Sequence, residues 1–227
     1  MKPILLTIAV ALAISGIACN ASPPEAHAQS LGTTAAAASD HAAVAPATPA
    51  APKLQAALRG LWHGHVVETR NYALAVKAGD AAAAARAEQD VVTNATAIAD
   101  AVASFYGAPA GKKMLELLGG HWGGVKALTD ANRRGDAAGA QQALGELVAN
   151  AGEIATFLAG ANPNLAADAV RGLLVAHGGH HAAQTQQIMA GDMAAEAQTW
   201  SAMQAHMDVI ADALAGAIAT QFPDKAS

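Results

Sequence analysis

From residue 53 onward, apolar positions recur at intervals of three, four and seven. Leu54, Leu58, Leu61, His65, Tyr72 and Val76 form one such series, and Leu147, Ala151, Ile154 and Leu158 form another. That spacing places each series on one face of an α-helix. Breaks in the pattern coincide with residues that end or start helices. Gly79-Asp80, Gly135-Asp136 and Gly191-Asp192 each supply a glycine able to take the left-handed conformation past a helix end, followed by an aspartate able to cap the next helix. Gly107-Ala108-Pro109, Asn162-Pro163-Asn164 and Pro223 supply the remaining stops. The pattern predicts helices near 53–78, 80–105, 111–134, 136–160, 165–190 and 192–221.

The same positions carry an internal repeat. His65, His121 and His177 recur every 56 residues, each preceded by a leucine four residues earlier: Leu61, Leu117 and Leu173. The Gly-Asp turns keep that register, as do Asn94, Asn150 and His206, and Ile98-Ala99, Ile154-Ala155 and Ile210-Ala211. A Gly-Asp turn is short enough to force its two helices antiparallel. The expected fold is therefore all-α, a bundle of three antiparallel helical hairpins with six helices and a 56-residue period over residues 53–223.

The N-terminal part reads differently. Lys2 precedes an uncharged apolar run from Ile4 to Ala18, too short for a permanent membrane span and suited to a secretory signal over residues 1–19. Cys19 follows Ser15-Gly16-Ile17-Ala18 as the lipidated cysteine of a bacterial lipoprotein would, and Ala26-His27-Ala28 offers an ordinary cleavage site instead. Residues 20–52 are rich in Ala, Pro, Ser and Thr without periodicity and read as a disordered tether. The expected destination is the periplasm or outer cell envelope, with membrane contact only through the lipid anchor.

Composition removes several function classes. Aromatic residues are 4% of the chain, which disfavours sheet, and the net charge of -5 without a basic cluster disfavours nucleic acid. A single cysteine rules out an intramolecular disulfide and a thiolate-held iron-sulfur cluster. No nucleophile elbow, phosphate loop or dinucleotide fingerprint is present, so no catalytic residue is named. Trp62, Trp122 and Trp200 read as core or edge packing.

The chemistry that remains is histidine. His65, His121 and His177 fall on the buried seam of the first helix of each hairpin, and imidazole is the commonest metal ligand. If the hairpins close on themselves, the three rings share one centre; in an open stack, neighbouring copies lie about 10 Å apart. His181, one turn beyond His177, and His206 are further candidate ligands, and Asn94 and Asn150 are candidate partners that orient ligands from behind. Glycines crowd the histidines in His63-Gly64-His65, Gly119-Gly120-His121 and His177-Gly178-Gly179. They point either to close helix crossing or to room for a ligand. Three readings follow: an exported helical bundle holding a zinc, copper or iron ion; a noncatalytic envelope scaffold with structural core histidines; and a metal-dependent hydrolase using the same site.

The segments Leu61-Trp62-x-x-His65-x-x-x-Thr69-Arg70-Asn71-Tyr72, Phe105-Tyr106-Gly107, Asn150-Ala151-x-Glu153-Ile154-Ala155, Asn162-Pro163 and Gln221-Phe222-Pro223 resemble an uncharacterised family of exported bacterial all-helical proteins. The resemblance spans about residues 54–224 and implies a helical fold. It implies no activity and no protein partner.

Overall fold

A computed structural model describes residues 51–226, and all regular structure among them is helical. The expected signal segment, Cys19 and almost all of the tether lie outside the described residues. The helices are α1 (Pro52–Ala78), α2 (Ala81–Tyr106), α3 (Ala108–Arg134), α4 (Ala137–Ala161), α5 (Ala167–Ala190), α6 (Met193–Gln221) and a short α7 (Pro223–Ala226). Six helices were expected, and α7 is a seventh beyond the terminating proline. Pro109 does not break the chain as expected. It sits in the first turn of α3, where its missing N–H has no helical partner to lose. No described helix is long and apolar enough to cross a membrane.

The Gly-Asp turns do what their chemistry dictates. Gly79, Gly135 and Gly191 hold φ of 73°, 70° and 80°, a conformation costly for any residue with a Cβ. The following N–H of Asp80, Asp136 and Asp192 donates back to the carbonyls of Ala75, Ala131 and Gln187. Each aspartate side chain then accepts from the N–H three residues on, at 2.9, 2.9 and 3.0 Å, which caps the next helix.

Each helix packs on the next in sequence, and α6 packs back on α1, so the array closes. In addition α1, α3 and α5 touch one another, while α2 bridges α1 and α3, α4 bridges α3 and α5, and α6 bridges α5 and α1. Two large apolar clusters fill the interior, and a small third one joins Ala51, Ala219 and Ala226. Along α3, Met114, Leu117 and Leu118 belong to the first and Trp122, Val125 and Leu128 to the second, with His121 between them. Trp62 and Trp122 are buried as expected, and Trp200 is half-buried.

The closing seam is ionic. Arg59 on α1 grips Asp212 on α6 through Nε at 2.8 Å and Nη2 at 2.5 Å, and His63 Nε2 lies 2.9 Å from Asp208. Deeper in, Arg70 holds Glu196 at 2.6 and 2.9 Å. Gln184 of α5 donates to the same carboxylate at 3.0 Å, and the guanidinium lies 5.1 Å from the centre of the Trp200 ring. Glu196 is 1% exposed, so its pairing decides whether the seam holds. At the same end as Phe222, Asn162 Nδ2 donates to Tyr106 Oη at 2.9 Å, and the Tyr106 hydroxyl donates to Gln221 Oε1 at 3.1 Å.

Glu196→Leu strands a charged Arg70 and is expected to cost about 3 kcal/mol in urea denaturation. The double change Arg70→Met with Glu196→Leu is expected to recover most of that loss. Equal losses in both variants would show that the pair adds nothing specific to the seam.

Candidate metal centre

The closed packing brings His65 of α1, His121 of α3 and His177 of α5 together, and places His181 of α5 with them; all four are buried. The ring centroids of His65, His121 and His177 are 5.5, 5.5 and 5.6 Å apart, close to an equilateral triangle. His181 lies 5.9, 5.6 and 4.4 Å from those three. Four points with six such similar separations occupy the corners of a tetrahedron. One ligand nitrogen from each ring falls within 4.8 Å of all the others. A zinc-like ion at about 2.0–2.1 Å from each nitrogen needs separations of about 3.4 Å, so the rings would close in around it.

The hydrogen bonding of the rings is incomplete. His181 Nε2 and His177 Nε2 are 3.0 Å apart, so one donates to the other. His65 Nε2, His121 Nε2 and His177 Nδ1 are buried with no hydrogen-bond partner. Three orphaned nitrogens on neighbouring rings are unusual, because a buried polar atom without a partner costs about 1–3 kcal/mol.

The electrostatics of the site favour neutral imidazole. Burial, with the neighbouring His121, pushes the His65 pKa down to about 3. Burial pushes His121 down to about 4, with Asn150 acting in the opposite direction. His177 and His181 are held well below the ordinary histidine range, first by burial and then by the other rings. Neutral rings keep a lone pair free for a metal.

Asn94 and Asn150 support the site through its backbone. Asn94 Nδ2 donates to the Leu61 carbonyl and Asn150 Nδ2 to the Leu117 carbonyl, each at 3.0 Å. Those carbonyls lie one turn before His65 and His121, so the amides fix the turns that carry these histidines. His206 plays the same part at the third position, donating from Nε2 to the Leu173 carbonyl at 2.9 Å. This corrects its expected place among the metal ligands: His206 lies outside the tetrad, with its ring 5.2 Å from that of His180. The sequence shows His206 in register with the two asparagines, and that register was the signal for its role. The buried Arg70–Glu196 pair carried no such signal, since its partners are 126 residues apart.

The glycines are resolved individually. A Cβ on Gly64 would meet Asn94 Nδ2 at 2.8 Å, and one on Gly120 would meet Asn150 Nδ2 at 3.2 Å. Both let the asparagine cross to its carbonyl. Gly119 and Gly123 meet nothing within 4 Å, and nor does Gly178, although it is buried. Beside the rings is a cavity of about 10 Å³ lined by Trp62, Leu118, Ala151, Ile154 and Leu174, with room for about one water.

Two outcomes test this geometry. The rings' pKa values are lowered on folding, so below pH 6.5 the unfolded chain takes up protons that the folded one refuses. Stability in the metal-free protein is then complete above that pH and lost as pH falls. At pH 5.5 the loss is about 1.4 kcal/mol per ring and about 5.6 kcal/mol for the four. Urea midpoints that stay level between pH 7.5 and 5.5 would contradict a buried neutral tetrad. Separately, Gly64→Ala is expected to destabilise by about 1 kcal/mol by displacing Asn94. Gly119→Ala is expected to stabilise by up to about 0.8 kcal/mol. Thermal unfolding of the two variants would reveal whether their signs differ.

Comparison of the chain with protein-family models, with curated proteins and with solved structures gives no match.

Proposed function

We propose that this chain is an exported metal-binding protein whose helical bundle holds one transition-metal ion through His65, His121, His177 and His181. The observation that carries the reading is the convergence of four buried imidazoles with three ring nitrogens that have no partner. An ion among the rings would give the converging nitrogens a shared partner. All-imidazole ligation without carboxylate or thiolate suits zinc or copper better than iron.

The 56-residue register supports reading the bundle as three copies of one hairpin closed about a common centre, with the ion there. The apolar run after Lys2 and the position of Cys19 support export with a lipid anchor. Holding an ion fits the site better than turnover does. A hydrolase needs water and substrate at the ion, and four protein ligands with about 10 Å³ beside them leave little room for either.

Elemental analysis of protein purified without a polyhistidine tag is expected to give one ion per chain. His121→Ala is expected to reduce this below about 0.1 while far-ultraviolet circular dichroism stays helical. A wild-type protein that is metal-free as isolated, and takes up neither zinc nor copper on titration, would refute the reading.

A further inference from the structure

Among the described residues the four rings form the whole ligand group: no aspartate or glutamate belongs to it. The walls around it, Trp62, Leu118, Ala151, Ile154 and Leu174, are equally uncharged. Among the described residues the one buried carboxylate is Glu196, and its charge is already matched by Arg70. An ion placed among the rings therefore keeps its full charge in an apolar interior.

That condition discriminates between ions. The cost of moving a charge out of water grows with its square, so a divalent ion meets about four times the penalty of a monovalent one of similar size. Anionic ligands, thiolate or carboxylate, commonly offset the excess in divalent sites, and this group of four neutral imidazoles contains none. The tetrahedral placement of the rings acts in the same direction for copper. It suits the filled shell of copper(I) and opposes the tetragonal geometry that copper(II) prefers.

Resting on the metal-binding reading above, we propose that the tetrad is a site for an ion of single positive charge, copper(I), and discriminates against copper(II) and zinc(II). Comparing two charge states of copper separates this from any general preference of imidazole for one element.

The test uses the full chain loaded with copper(I) under a reductant and then exposed to air. The X-ray absorption edge is expected to remain that of copper(I), with no copper(II) signal in electron paramagnetic resonance. In chelator-buffered competition, copper(I) is expected to exceed zinc(II) in affinity by at least about 100-fold. His181→Asp brings a carboxylate to the ion. It is expected to produce a copper(II) signal in air and to raise relative zinc affinity at least about 10-fold. The wild-type measurements decide the matter alone if that variant does not fold. A wild-type protein that takes up zinc(II) as tightly as copper(I), or shows about one copper(II) spin per ion in air, overturns the charge assignment and leaves the metal site standing. A protein that takes up none of these ions removes both.

Discussion

Four imidazoles share an interior with too few hydrogen-bond partners for their nitrogens, and the architecture around them is organised by that constraint. One nitrogen pair is satisfied between His177 and His181. Three nitrogens are left without partners by the protein itself. Burial removes the escape by protonation, since a charge there is less tolerable than an unpaired lone pair. The rings are thus kept neutral, close and incompletely bonded, the condition in which an added cation gains most.

Holding that arrangement falls to the outer helices. α2, α4 and α6 each send one side chain, Asn94, Asn150 or His206, to the carbonyl one turn before a site histidine. Such a bond sets the height and rotation of the turn that carries the histidine. Gly64 and Gly120 give up side chains so that the amides can reach across. The cost of glycine in a helix, about 1 kcal/mol relative to alanine, is thereby exchanged for a fixed ligand position.

Local chemistry was legible in the sequence, and closure was not. The turns could be read from Gly79-Asp80, Gly135-Asp136 and Gly191-Asp192, because a left-handed glycine and a capping aspartate act within a few residues. His65, His121, His177 and His181 could be identified from register and helical spacing. Whether they meet depends on α6 returning to α1. That contact is made by Arg59 with Asp212 and Arg70 with Glu196, 153 and 126 residues apart, and no local pattern encodes such pairing. The placement of His206 failed for a related reason: its residue type suggests a ligand, whereas its register with Asn94 and Asn150 gives its structural part. The glycines beside the histidines could not be sorted by sequence either, since only the structure distinguishes Gly64, facing Asn94, from Gly119, facing nothing.

The fourth ligand shows why the helices cannot be wholly alike at the centre. Three rings in a triangle provide the base of a tetrahedron, and its apex must come from a position that differs between the inner helices. α5 supplies it at His181, one turn past His177, while α1 and α3 carry Thr69 and Val125 at the corresponding distance from their histidines. Both are buried; Thr69 turns its hydroxyl to the carbonyls of its own helix at 3.1 and 3.0 Å, and Val125 has no polar atom to offer. A histidine at either position would crowd the apex with another ring and bring further nitrogens in need of partners. One histidine there brings a fourth imidazole to the group, and Thr69 and Val125 leave it room, so the departure from register at residue 181 is what turns a triangle of core histidines into a tetrad.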